Sequence, residues 1–420
     1  MKNICRGIFL WAVLLIMPWS LSVYAQDSTL SFTDVKQKLF RSNLSLLAAY
    51  YEIDIAKAGI IQARLWNNPY FVFNGDLYSN ETNEYFNFRN QHLLQVEQTF
   101  SIAGKHTNSV KLSRVNAEMA EKQMEDVLRS LLFEAGSLYT ELAALQEKMR
   151  LYVQVMSGYE RLMEATRQQL DVGAISVTEA IRLESEYLAV KTEALTNQNE
   201  RERTLSELRT ILKMPQDTIF MVEQKIPMLL PAMEVNNLIE DAISSRPDLQ
   251  LTRKNLDWHE RNLRLQKSLG VPDLKLAYQP RDRGSNYVRP YQGFNIEFSI
   301  PLFNRNQGDI QAAELNLEKS GLQINQLENQ VKNEVASAFN RFSNAKSGLT
   351  NYSDQLLERL NSLNESTNEN FRKRNISLLQ FIDQQRIFIQ TNTQLIELRQ
   401  QFLDTANDLN FATGKTLIEF

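Results

Sequence analysis

Two proline-free tracts fill most of this chain. None of the ten prolines falls between Tyr70 and Met214, nor between Leu302 and Phe420. An interior proline costs a helix about 3 kcal/mol, so tracts of this length suit long helices. In the first tract Met124, Leu128, Leu131, Ala135, Leu138, Leu142, Leu145, Met149, Tyr152, Met156, Tyr159 and Met163 follow strict 4-3 spacing. This is an apolar coiled-coil seam of about six heptads. The second tract repeats it. Val331, Val335, Ala338, Phe342, Ala345, Leu349, Tyr352 and Leu356 each lie 200 positions beyond a seam residue of the first. "FSI" at 100–102 recurs at 298–300, and "IS" at 175–176 recurs at 376–377. The pattern implies an internal duplication with a period of roughly 200 residues.

Each copy has one order of elements. A first repeat is expected over 26–213, a linker over 214–234 and a second repeat over 235–420. Each opens with a helix broken near its middle, about 33–65 and 235–269, ended by Asn68-Pro69 or Val271-Pro272, because a residue before proline disfavours helix. Two alternating strands come next, at about 70–78 and 92–102, then 273–279 and 292–300. A long helix (about 106–171 and 307–371), a tight turn and a returning helix (about 177–212 and 378–413) complete the copy.

The first 25 residues read differently. Lys2 and Arg6 precede an apolar run from Gly7 to Trp19, and Val23-Tyr24-Ala25 offers a small-residue cleavage site. This is a secretory signal peptide, cut near Ala25. Cys5, the single cysteine, lies in its charged region and is no lipid-anchoring cysteine. The mature chain has no thiol, which excludes disulfides, zinc–thiolate sites and thiol catalysis. Removing Lys2 and Arg6 leaves 44 basic against 50 acidic residues, a balance that argues against nucleic acid. No later stretch of 18 residues is apolar and uncharged, so entry into a membrane would have to use strands.

The strands have the length and alternation of outer-membrane strands. Phe294, Ile296 and Phe298 are expected to face lipid, with Glu297 facing a lumen. Lys275 on the preceding strand and Glu97 in the first copy share that lumen side. Four strands leave open edges, which lipid does not tolerate, so closure needs several subunits. Two chains would give eight strands and a filled interior, whereas three give twelve and an open lumen.

The segments "QTFSIAGKHTNSVKLSRVNAE" (98–118), "FSIPLFNRNQGDIQAAE" (298–314), "SSRPDLQL" (244–251) and "LDVGAISVTEAIRLESEYL" (170–188) recur here in a duplicated order. In these residues the chain resembles the TolC-type outer-membrane efflux family, most closely its CzcC-like, heavy-metal-efflux branch. The resemblance implies a mainly α fold with a membrane β part: a homotrimer with a twelve-stranded outer-membrane barrel, four strands per chain, continued by a periplasmic α-helical barrel. It also implies a passive exit duct that docks onto a periplasmic membrane-fusion adaptor and an inner-membrane pump of the RND type, exporting heavy-metal cations. Alternatives are an exit duct for drugs or a secreted protein, and a periplasmic coiled-coil scaffold without a pore.

Val172-Gly173-Ala174 matches the family's adaptor-docking tip, and the second-copy tip carries Arg374 instead. Arg182 and Asp383 occupy equivalent positions about two turns above the tip, and opposite charges on adjacent hairpins would hold a periplasmic gate shut. Glu179 and Asp383 match acidic positions of the family in this stretch, while Gln380 departs from them. "TFSIAGKHT" (99–107) has Thr99 and His106 where a phosphate-binding loop needs glycine and Ser/Thr, so it reads as a strand-to-helix corner relaxed by Gly104. Met149, Met156 and Met163 could form a ladder for a soft cation but are also ordinary seam positions. His92, His106 and His259 are scattered, and no catalytic constellation is present. Neither enzyme activity, a cofactor nor a metal site is expected.

Overall fold

The computed structural model describes residues 28–75, 77–80, 83–86, 92–171, 175–223, 226, 233–282, 289, 291–350 and 354–419. In chain order the elements are β1 (Ser28–Leu30), α1 (Phe32–Ser42), α2 (Leu44–Ala63), β2 (Tyr70–Gly75), β3 (Tyr78–Ser79), β4 (Glu84–Tyr85), β5 (His92–Phe100), α3 (Lys105–Asp171) and α4 (Val177–Leu212). There follow β6 (Phe220–Val222), α5 (Val235–Ser245), α6 (Pro247–Leu269), β7 (Leu274–Asp282), β8 (Tyr291–Glu297), α7 (Gln307–Thr350), α8 (Asp354–Arg372) and α9 (Leu378–Thr413). At 1.5 Å per residue, α3 alone is about 100 Å long.

Local chemistry explains where the helices start and stop. Ser31, Ser176 and Ser377 each accept from the backbone N–H three residues on, and Asp34, Glu179 and Gln380 return the bond to the cap. These capping boxes satisfy donors that the first helical turn leaves free. Lys213 and Gly414 end α4 and α9 in the left-handed region, at φ 51° and 70°. A side chain at Gly414 would be crowded as well as strained, because a Cβ there would meet Arg246 Cγ at 3.1 Å.

The sheet β2-β5-β7-β8 is an antiparallel meander with β2 and β8 as its open edges. Its strands end at different places from the alternation's. β2 stops at Gly75, and Tyr78 instead begins the separate β3–β4 ribbon. β5 stops at Phe100, short of Ile102. β7 continues to Asp282, passing Pro280 through an irregularity between Gln279 and Asp282, where a residue without N–H is tolerated. β8 stops at Glu297, so Phe298 lies just past the strand: its ladder position would fall opposite Leu274, where β7 begins.

Below the sheet, α2, α3, α6 and α7 pack side by side in that order. The sheet and the helical layer therefore share the same handed sequence of elements, with β2 and α2 at one edge and β8 and α7 at the other. Farther along, α3 packs between α4 and α9, and α9 against α7 and α8. The seam residues fill these contacts. Leu138, Leu142 and Ala135 pack with α1, α4 and β6, and Val331, Val335, Ala338 and Phe342 with α5 and α9. Tyr152 and Tyr159 join Leu183, Val190, Phe381 and Phe388 in a third core. Tyr352 lies outside the described residues.

Arg246 of the "SSRPDLQL" segment fixes the junction of the helices. It is 2% exposed, donates to Asp248 and Glu334, and also to the Ala412 carbonyl at 3.1 Å. Arg129 extends the network to Asp126 and Asp248 and stands over the Phe411 ring. Burial works against the Asp248 carboxylate, yet the hydrogen bonds from Arg246 and the charge of Arg129 hold its pKa below the usual range. A charge removed from water in this way is stable only when fully partnered, as it is here.

Candidate functional site

The sheet separates two chemistries. Phe71, Val96, Tyr278 and Phe294 stand opposite one another strand by strand. They form one exposed apolar stripe across all four strands, from 43% to 67% accessible. Ile296, 59% exposed, has the parity of Phe294, and Phe298 is 61% exposed just beyond the strand. The opposite face carries Glu97, Lys275 and Glu297. Lys275 Nζ lies 3.3 Å from Glu297 and 3.7 Å from Glu97. Alongside, Gln279 Nε2 donates to Gln95 Oε1 at 2.9 Å. Expected lumen and lipid residues thus fall on opposite faces, and the three charged ones are neighbours across three strands, a closeness not visible in sequence.

Both strand-to-helix corners turn through left-handed residues: Ala103 and Gly104 before α3, Asn306 before α7. Lys105 at the first corner reaches Asp273 at 2.7 Å, linking the first long helix to the segment entering β7. His106 stacks on Trp66 with ring centroids 4.5 Å apart and meets the Arg64 carbonyl through Nε2. His92 begins β5 and His259 lies beside Trp258 on α6, so the three histidines are not gathered. Among the described residues no group of three or more His, Cys, Asp or Glu could hold a metal ion. Met149, Met156 and Met163 pack against the third core.

At the far end of the long helices, Val172, Gly173 and Ala174 lie outside the described residues. Their second-copy counterpart is ordered by backbone bonds. Arg374 adopts φ 62° and its N–H donates to Phe371, while Asn375 N–H reaches back to the Asn370 carbonyl at 2.8 Å. That is a helix stop of the kind glycine usually makes. Above it, Glu179 and Gln380 are occupied in their capping boxes, and hydrogen bonds from Ser176 hold the Glu179 pKa down. Arg182 and Asp383 are exposed and make no ion pair with each other within one chain. Among the described residues α4 and α9 are bridged by Glu186–Arg386, a pair that the equivalence of the two copies does not show. Equivalence between copies pairs Glu186 with Ile387, so matching positions could not reveal it.

The outer helices of the layer, and α4, expose apolar rows. Leu44, Leu47, Tyr51 and Ile55 are exposed on α2, and Leu315 and Leu322 on α7. On α4, Val177, Ile181, Leu188 and Leu195 form a further exposed row. Among the described residues no helix is long and apolar enough to cross a membrane.

Known proteins share this architecture. The sequence profile of the outer membrane efflux protein family matches residues 35–212 and again 238–415. The cobalt-zinc-cadmium resistance protein CzcC of Cupriavidus metallidurans is 20% identical over 389 residues, which cover 89% of this chain and 87% of CzcC. A crystal structure of a membrane protein from Pseudomonas aeruginosa superposes with TM-score 0.72 at 16% identity, covering 91% of this chain and 92% of that one. CusC, solved in a study of folding and transmembrane channel formation, superposes at 0.71 with 17% identity, covering 91% and 92%. At these identities the structural likeness speaks for the fold. The profile, matched twice and over most of the length, shows that this chain belongs to the outer membrane efflux protein family.

Proposed function

We propose that three copies of this chain form the outer-membrane exit duct of a tripartite pump that exports heavy-metal cations. One observation carries the reading: the sheet and the helical layer run in the same order and leave the same two edges open. Copies joined β8 to β2 and α7 to α2 make a head-to-tail ring, which closes both layers at once. Three copies give twelve strands, enough for an aqueous lumen. The apolar stripe through Phe71, Val96, Tyr278 and Phe294 then faces lipid, and Glu97, Lys275 and Glu297 face the lumen. The exposed rows on α2 and α7 become subunit contacts.

The duct is passive and conducts between a periplasmic adaptor and an inner-membrane pump of the RND type. CzcC, a cobalt-zinc-cadmium resistance protein, is the relative that supports a metal cargo. Heat-resistant trimers in outer-membrane fractions, together with single-channel conductance in planar bilayers, test the duct. Monomers without conductance would favour a coiled-coil scaffold. Growth of a deletion strain on zinc, cobalt, nickel and copper salts, and on dyes and detergents, tests the cargo.

A further inference from the structure

A cavity of about 170 Å³, partly open to solvent, lies where α1 meets α3 and the end of α9. Phe32, Leu128, Leu132, Phe133 and Phe411 give it apolar walls, with the Phe133 and Phe411 ring centroids 4.6 Å apart. An apolar cavity of about 150 Å³ is large enough to take up one benzene molecule. Size and lining therefore fit a single aromatic ring.

The charges around it are unequal. Three cations line the cavity, Lys36, Arg129 and Lys415, against one carboxylate, Glu125. Arg129 is committed to Asp126 and Asp248, Lys415 to Asp241, and Glu125 to Lys122. Lys36 forms no ion pair among the described residues: its Nζ stands 4.8 Å from the centroid of the Phe32 ring, itself part of the wall. The side chain is half-buried. Burial works against its charge, and Glu419, which is not part of the lining, acts in the opposite sense. An ammonium drawn partly out of water without a close counter-charge is one that an anion would satisfy.

We propose that this cavity binds a small aromatic carboxylate, its ring between the phenylalanine walls and its carboxylate on the Lys36 ammonium. A bond from an ammonium N–H to a carboxylate is charge-assisted, and a bound ring gains from tilted contacts with aromatic walls. A neutral ring of the same shape keeps the second gain and loses most of the first. The site is built by a single chain and does not depend on the duct reading.

Calorimetric titration of the detergent-solubilised protein with benzoate tests it, with benzamide as the uncharged ring of the same shape. Saturable binding of benzoate, and weaker binding of benzamide, is the expected result. Lys36→Met keeps an unbranched apolar stem and should weaken benzoate binding roughly tenfold by removing one charge-assisted hydrogen bond. Leu132→Trp fills the cavity and should abolish binding; if that variant does not fold, Lys36→Met decides alone. Absence of saturable benzoate binding overturns the proposal. So does equal affinity for the two compounds, or benzoate binding indifferent to either substitution.

Discussion

Arg386 of α9 makes a two-point contact with Glu186 of α4: Nε lies 3.0 Å from Oε2, and Nη2 also meets Oε1. The fork of a guanidinium matches a carboxylate in this way, which adds geometric definition to charge. The Glu186 side chain is 14% exposed and that of Arg386 65%, so solvent screens the pair from one side.

The first prediction concerns that pair. Exposed ion pairs contribute about 0–1 kcal/mol, so a double-mutant cycle of Glu186→Gln and Arg386→Ala should give a coupling in that range. Chemical denaturation of the four proteins measures it. A coupling well above that range would mean that the pair is shielded, as by a neighbouring subunit.

The second prediction concerns the faces of β8. Ile296→Lys should cost roughly 2–4 kcal/mol in assembly if that face meets lipid, and Asn295→Lys on the other face much less. Asn295 is a cleaner control than Glu297, because a lysine at 297 would stand against Lys275. Yield of heat-resistant oligomers in outer-membrane fractions is the readout. Equal yields for the two variants would reverse the assignment of faces.

The third prediction concerns the tip. A non-glycine residue at positive φ is disfavoured by about 1–2 kcal/mol in the helical case, and Arg374 sits at φ 62°. Arg374→Gly should therefore raise the unfolding midpoint, by an amount equivalent to about 1 kcal/mol. Arg374→Val should lower it. For the first-copy tip, Gly173→Val should impair adaptor cross-linking while the barrel still forms, since valine lacks the backbone freedom that glycine gives a tight turn. Intact cross-linking and normal efflux in that variant would refute the docking role.

How far the fold was legible depends on the range of the interactions that set each element. The helices 177–212 and 378–413 could be read because their ends are local: Ser176 with Glu179, and Ser377 with Gln380, lie within one turn. Strand ends depend on partners far away in sequence, and there the alternation misjudged Gly75, Asp282 and Glu297. The parallel pair β1–β6 had no local signal at all, joining Ser28–Leu30 to Phe220–Val222. It is secured by Tyr139, whose hydroxyl donates to the Glu223 carbonyl at 2.5 Å.

The fourth prediction is a pH dependence. Burial, with the charges of Asp408 and Glu141, raises the Asp404 pKa, although Thr140 donates to its carboxylate. A carboxyl whose folded pKa is raised binds its proton more tightly in the folded state. Its contribution is therefore favourable below the unfolded value, about 3.9, and is lost as pH rises through the folded value. Asp404→Asn keeps an acceptor for Thr140 and cannot ionise. It should raise the unfolding temperature at pH 7 and do so much less at pH 4. An equal gain at both pH values would show that ionisation is not the cause.

The last prediction is a gate. In a ring of six hairpins, Arg182 of one hairpin and Asp383 of the next would hold the tips inward. Within one chain the two are exposed and unpaired with each other, so the contact would have to form between subunits. One exposed pair contributes about 0–1 kcal/mol. Threefold symmetry sets three such pairs on one opening, so the sum approaches about 3 kcal/mol if the pairs act additively. That would shift a closed–open equilibrium about a hundredfold, enough to keep a resting duct shut. Asp383 also lies near Arg386 and raises its pKa after the larger effect of Glu186, so Asp383→Ala must be compared with Arg386→Ala. Planar-bilayer conductance of Arg182→Ala, Asp383→Ala and the charge-swapped double variant decides the matter. Leaky single variants and a closed swap support the lock, whereas single variants no leakier than the unmodified protein, or leakage from Arg386→Ala alone, would place the closing force elsewhere.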